Sequence, residues 1–425
     1  MHLATKLTSF ASAAESVSET LEVDLKTKRV ERLTERIGLE RVAERELSIA
    51  EWESLQLVKK LEAPPGVKAP AVACVSCDGG RLQRCDLPEE AKSHWCETKV
   101  GILLELEPNP HATDPCPEVP TKFLDLAEME KVTREIKRSV PKGQQFERAE
   151  VVPTLSDAPA SKTSKASPET LDPPALPAHD PLDSVACARE EIVAEPPTVE
   201  ARDVVASLAN AETFGKHLAA AAWRLGFSSA LLKCFIADGS STNWGIWQRH
   251  FKHLEFVPIL DFIHALTYVY SAAMAGWSRE TGASAYVRWI TWIWQGQVVK
   301  VIAELAARAA ELGSPPPLAS DTHPRQIVAE TLTYLTNQQS RMNDPAYRVA
   351  GLPLTSSHIE STVKQINQRV KGSEKFWTHA GGEALLQLRA DQICDTKPLD
   401  IYWLNRIQTA TGMRNYKPKA PTTTC

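Results

Sequence analysis

The chain has no apolar run clean enough to read as a membrane span. Its most apolar stretch, residues 256–277, is near the roughly 20 residues that a bilayer demands. Pro258, Asp261 and His264 interrupt it, and ionisable groups are costly in lipid. A strand followed by a buried helix is the expectation there. The first twenty residues mix polar and apolar side chains without a continuous apolar core, so no secretory leader is expected. Cysteine is sparse and odd in number, nine at irregular spacing, which argues against a disulfide framework and for a reducing cytoplasm. Cys74 and Cys77 form one C-x-x-C, but there is no second such pair and no H-x-x-x-H to complete a tetrahedral zinc site. Small residues on a buried strand are the expectation for residues 71–77.

An overall positive charge is missing too. The net charge is −5, which taken alone disfavours a nucleic-acid partner. It is unevenly placed. Residues 151–200 hold nine acidic and three basic side chains, so the rest of the chain carries +1. Residues 355–425 hold ten Lys/Arg against six Asp/Glu. A local basic surface binds phosphates even on an acidic chain. Residues 151–200 also lack aromatics and carry nine prolines. Such a composition buries too little apolar surface to order itself, so residues 141–203 are predicted to be a flexible Pro/acidic linker.

The length of 425 residues, 43% of them hydrophobic, suits an ordinary globular chain of two or three domains. Residues 1–63 read as helical. Val30, Leu33 and Ile37 are spaced as one helical face, with Gly38 as a stop. The segment is either a solvated amphipathic element or a remnant of a DNA-binding region. Residues 64–140 turn to strands. A first strand over 71–77 meets Asp78-Gly79-Gly80, a tight-turn signal, then a second over 81–85 and a third over 98–106. Residues 204–261 alternate strand and helix, which predicts a mixed sheet covered by helices. Residues 262–350 are helical throughout, and 351–425 hold a further helix and a basic tail. Tyr286, Trp289, Trp292 and Trp294 crowd one helix; they stack on bases or, more commonly, form an aromatic core.

Three acids stand out by context. Asp78 closes the first strand, Asp238 closes the central one, and Glu360 falls in the first turn of a later helix. Strand ends in an open mixed sheet border the crevice where ligands sit. Carboxylates there suit hard divalent cations, and a pair of such ions stabilises the entering and leaving oxygens of a phosphoryl displacement. Each acid also has a plain structural reading. Asp78-Gly79 is a common hairpin pair, Asp238 is a preferred helix cap, and Ser357-His-Ile-Glu360 fits a capping box. Along the Glu360 helix, Ile359, Val363, Ile366 and Val370 make an apolar stripe beside Glu360, Lys364, Asn367 and Lys371. That polar stripe is either solvated or suited to a phosphate backbone.

Five segments occur in order: Val75-Ser-Cys-Asp-Gly-Gly-Arg-Leu-Gln83, His94-Trp-Cys-Glu-Thr-Lys-Val-Gly101, Ile236-Ala-Asp-Gly-Ser240, Val257-Pro-Ile-Leu-Asp-Phe-Ile-His264 and Ser357-His-Ile-Glu360. With Gln368-Arg-Val-Lys-Gly-Ser-Glu-Lys-Phe-Trp377 and Gly381-Gly-Glu-Ala-Leu-Leu-Gln-Leu-Arg389, they resemble the Kra-type insertion-sequence transposases, relatives of the Mutator-like group, over roughly residues 65–415. The resemblance implies an α/β, RNase H-like mixed sheet with an all-α insertion and an Asp-Asp-Glu triad. Carried over, the triad is Asp78, Asp238 and Glu360, holding two Mg²⁺ ions for which Mn²⁺ substitutes. Asp261 and His264 match the family's Asp-x-x-His and are auxiliary, with Asp261 a rival for the second triad position. Lys364, Arg369 and Lys371 would position DNA phosphates. The implied partners are transposon ends and target DNA, bound by a homo-oligomer at the nucleoid of a bacterial cytoplasm. Two features depart from the family: a short N-terminal region and the acidic linker between the first two acids. They leave two alternatives, a transposase-derived DNA-binding protein without catalysis and an RNase H-like nuclease that cuts without joining.

Overall fold

A computed structural model describes residues 2–91, 93–136 and 197–408. The predicted linker therefore lies outside the described residues up to 196, as does the basic tail beyond 408. Four helices come first: α1 (His2–Lys6), α2 (Phe10–Leu21), α3 (Thr27–Ser54) and α4 (Leu57–Leu61). Then come β1 (Val72–Arg84), β2 (Trp95–Leu106), α5 (Leu126–Ile136), β3 (Val199–Ser207), α6 (Ala211–Arg224), β4 (Leu232–Ala237), α7 (Ser241–Ile246) and β5 (Val257–Leu260). Helices α8 (Phe262–Ala273), α9 (Arg279–Trp294), α10 (Val298–Leu312), α11 (Pro324–Gln338) and α12 (Asp344–Val349) follow. Last are α13 (Ser357–Val370), β6 (Phe376–Trp377), α14 (His379–Ile393) and α15 (Pro398–Gln408). No helix among the described residues is long and apolar enough to cross a membrane. The stretch 256–277 is a strand followed by a buried helix, as expected.

The described residues divide into two compact units. The first comprises the described residues within 2–109, 197–259 and 356–408. Its sheet runs in the order β3-β2-β1-β4-β5, with β6 beside β1. β1 is antiparallel to β2 and parallel to β4, and β2 is antiparallel to β3. This is a mixed sheet with helices on it. Six consecutive residues of β1, Val72 to Cys77, are buried, because a central strand packed on both faces reads as an unbroken apolar run.

Three expectations are corrected here. Asp78-Gly79-Gly80 is not a turn: β1 continues through it for thirteen residues and pairs with β2 along its length. The ladder to β2 outweighs local Asp-Gly chemistry. Strand β3 begins at Val199, inside the predicted linker, where its pairing with β2 supplies the order its own composition lacks. Gly38 does not stop a helix; α3 runs on to Ser54. A Cβ at Gly38 would stand 2.6 Å from the Ala384 carbonyl oxygen, so this glycine lets α3 lie directly on α14.

Helix α14 carries the interior polar network of this unit. Residues Gly382 to Asp391 are all buried, charged groups included, and both acids among them are matched by arginines of α3. Arg45 reaches Glu383 at 2.8 Å and Arg41 reaches Asp391 at 2.9 Å. Glu383 also accepts from Ser207 Oγ and the Leu208 N–H, both at 2.7 Å. Buried charges persist when they are paired and hydrogen-bonded in this way.

The second unit comprises 110–136 and 260–355 of the described residues, and its helices there are α5 and α8 to α12. Tyr286, Trp289 and Trp294 are fully buried, so the aromatic helix is a core, as its commoner reading had it. Phe262 meets Trp294 edge-on with centroids 5.0 Å apart. The Arg348 guanidinium lies over Trp294 and donates to Asp114 Oδ1 at 2.8 Å.

Candidate acidic site

The parallel register of β1 and β4 sets Ser76 opposite Ile236. Two residues further along each chain, Asp78 and Asp238 come side by side and line one cavity of about 180 Å³. Cys77, Glu97, Lys99 and Asn243 line it as well. Asp78 sits within β1 rather than at a strand end; Asp238 is the residue after β4. Both are half-buried. Asp238 Oδ1 accepts from the Ser240 N–H at 2.9 Å and from Asn243 Nδ2 at 3.0 Å. Gly239 between them has φ +98°, a left-handed conformation that a side chain disfavours, and it lets the chain curl back onto the carboxylate. The cap of α7 is Ser240, not Asp238. Asp78 Oδ1 accepts from the Gly79 N–H at 2.6 Å.

Glu97 and Lys99 stand two apart on β2, hence on one face of the sheet. The Lys99 ammonium lies 2.7 Å from Glu97 Oε2. Burial, then Asp238 and Asp78, raise the Cys77 thiol well above its ordinary pKa, with Lys99 opposing them. The thiol therefore stays protonated and donates to Asn243 Oδ1 at 3.4 Å. Carboxylate oxygens around a small polar cavity are a donor set that suits hard divalent cations rather than soft ones. Glu97, Lys99 and Asn243 went unread in the sequence. For the first two, the period-two spacing within His94-Trp-Cys-Glu-Thr-Lys-Val-Gly101 is the signal; for Asn243, nothing local marks it.

Glu360 lies in the first turn of α13, and this helix packs against β1 and β2. The contact is close at Gly80, where a Cβ would stand 3.0 Å from Asn367 Oδ1. Glu360 is not among the residues lining the cavity, and the carboxylate oxygens of Asp78, Asp238 and Glu360 do not all come within 4.8 Å of one another. The capping box is not formed as read: Ser357 is the first helical residue, and the cap, Ser356, makes no side-chain cap hydrogen bond. Ile359, Val363, Ile366 and Val370 are buried, as the apolar stripe predicts.

Asp261 caps α8, taking the Ile263 N–H at 2.7 Å and the His264 N–H at 3.2 Å. It is fully buried, and His264 Nδ1 stands 3.6 Å from its Oδ2. Asp238 and not Asp261 lines the cavity with Asp78. Of the three predicted phosphate contacts, Lys371 is exposed and Lys364 half-buried. Arg369 is corrected: it is 2% exposed, its Nε donates to the Ala4 carbonyl at 2.8 Å, and its guanidinium lies over the rings of both Phe10 and Trp377. It faces the interior because residue 369 falls on the buried side of the helix, next to Val370. Cys74 and Cys77 are buried on β1 as free thiols.

Family models, curated proteins and solved structures were each compared with the chain, and no match was found in any of the three.

Proposed function

We propose that the chain is a divalent-metal-dependent DNA phosphoryl-transfer enzyme, a transposase of RNase H-like architecture. The observation that carries this reading is the pair Asp78 and Asp238, far apart in sequence, on neighbouring parallel strands with one shared cavity. Glu360 is the third acid of the proposed site, supplied by a helix that packs on the strand bearing Asp78. Asp78 and Asp238 would hold Mg²⁺, or Mn²⁺ in its place, with Glu360 completing the set. Bound there, the ions supply electrostatic stabilisation of the entering and leaving oxygens at a phosphodiester. Lys364 and Lys371, on the polar side of α13, would position the phosphate backbone. The mixed sheet flanked by helices supports the RNase H-like part of the proposal.

The test uses purified protein, DNA carrying the terminal inverted repeats that flank its gene, and Mn²⁺. Cleavage at the repeat ends followed by joining to a second DNA is expected. Asp238→Asn should abolish cleavage while DNA binding persists; unchanged cleavage by this variant overturns the assignment. Cutting without joining would identify a nuclease instead.

A second reading follows from Glu360, which lies outside the cavity lined by the first two acids. It is a transposase-derived DNA-binding protein that retains the fold without the chemistry. It predicts DNA binding with no Mg²⁺- or Mn²⁺-dependent nicking of any end.

A further inference from the structure

Asn243 occupies the first turn of α7 and is 9% exposed. Every polar atom of its side chain is in use. Nδ2 donates to Asp238 Oδ1 at 3.0 Å and to the Cys77 carbonyl at 3.2 Å, and Oδ1 accepts from the Cys77 thiol at 3.4 Å. Chemistry fixes which end is which. Turned over, the amide would set an oxygen against a carboxylate and a carbonyl, three acceptors with no proton among them. One amide therefore ties the residue preceding Asp78 on β1 to the carboxylate of Asp238 after β4.

We infer that Asn243 is the positioning residue of the acidic site, fixing the Asp238 carboxylate and, through Cys77, the segment of β1 that presents Asp78. The inference rests on the reading of the cavity as a cation site. Two carboxylates on adjacent strands repel each other, and a free Asp side chain rotates about χ1 and χ2. Asn243 Nδ2 and the Ser240 N–H together hold Asp238 Oδ1 from two directions, which sets the rotamer before any cation arrives. Partners of this kind, one step behind the ligands, orient ligand oxygens, and removing one typically weakens metal affinity by about 10–100-fold. Glutamine is one methylene too long for the span, and serine has too short a reach to serve both strands.

The experiment titrates the full chain with Mn²⁺ alone, following the free-ion electron paramagnetic resonance signal, with thermal unfolding measured without metal. Asn243→Ala and the similar-sized Asn243→Leu should each weaken Mn²⁺ binding about tenfold or more. A purely structural role would lower the unfolding temperature and leave the Mn²⁺ affinity of the folded protein in place. Should both variants fail to fold, Asn243→Ser, which keeps a polar group without the reach to serve both strands, should weaken binding by a similar factor. Affinity within twofold of the unaltered chain overturns the inference. Asp238→Asn separates this from the parent reading: if that variant also binds Mn²⁺ unchanged, the cavity is not a cation site. If it loses binding while the Asn243 variants keep theirs, the positioning role alone is refuted.

Discussion

Lys99 and Glu97 form an ion pair at 2.7 Å whose two ends differ sharply, the lysine side chain 11% exposed and the glutamate 62%. Among the described residues, the lysine is also the one cation lining the cavity of Asp78 and Asp238. It therefore acts as the resident counter-charge of an acidic site, and a divalent ion entering that site must share the space with it.

Replacing Lys99 by Met should tighten Mn²⁺ binding. With the dielectric of bulk water, about 80, removing a unit positive charge about 6 Å from a divalent ion is worth about 1.4 kcal/mol, roughly tenfold in affinity. Titration of the variant beside the unaltered chain checks this, and equal or weaker binding would count against a counter-charge role.

Gly38→Ala isolates the contact between α3 and α14. Alanine is the better helix former by about 1 kcal/mol, so a free surface would be stabilised. The added methyl meets the Ala384 backbone at 2.6–2.8 Å, and overpacking of this kind costs about 1–3 kcal/mol. A lowered unfolding temperature is the expected result; a raised one would show that α14 moves aside.

Arg369→Met should lower stability by about 1–3 kcal/mol, because the Ala4 carbonyl loses its charged donor and the two rings lose their cation. In the proposed DNA complex, the dependence of affinity on salt should stay as it was. Lys371→Ala should do the reverse: little change in stability, and a salt slope smaller by about one. A reduced slope for Arg369→Met would restore it to the phosphate-binding set.

Asp344 gives a pH signature in the helical unit. It is 2% exposed, and burial pushes its carboxyl up to about 7, Arg348 notwithstanding. The folded state then holds a proton that the unfolded chain releases near its ordinary value of 3.8. Stability therefore falls as pH rises from about 4 and levels off above about 7. Asp344→Asn removes this dependence. The difference in unfolding temperature in favour of the variant should grow from pH 5 to pH 8, and a constant difference would rule out the carboxyl as its source. His217 and His250, each lowered to about 4 chiefly by burial, act with the opposite sign. Their neutral forms are favoured by folding, so stability is lost as pH falls below the ordinary histidine value.

Much of the fold and part of the site were legible in the sequence. The apolar runs of β1, β2 and β4, the strand-helix sense of 256–277 and the buried stripe of α13 follow from periodicity alone. That Asp78 and Asp238 belong to one mixed sheet was expected too, but with Asp78 at a strand end rather than within β1. What failed was whatever depends on a distant partner. Asp78-Gly79-Gly80 has the local chemistry of a turn but sits opposite Val100, Lys99 and Thr98 in a continuous ladder. Gly38 reads as a helix end until Ala384 is known to lie against it. Arg369 looks like a phosphate contact because Lys364 and Lys371 lie close to it in sequence, yet its partners are Ala4 and Phe10. Asn243 is an ordinary helix residue until the register of two strands brings Cys77 and Asp238 to it.

The pairings of α14 with α3 have a consequence for how the protein is made. Arg41 meets Asp391 and Arg45 meets Glu383 across 350 and 338 residues of chain. A ribosome adding about 5–20 residues each second leaves the α3 arginines without their acids for tens of seconds to about a minute. Throughout that interval the apolar side of α3 waits for α14, joined by β3 once residues 199–207 have been made. Nascent chains stalled short of Glu383 should thus be the ones that chaperones hold and proteases cut.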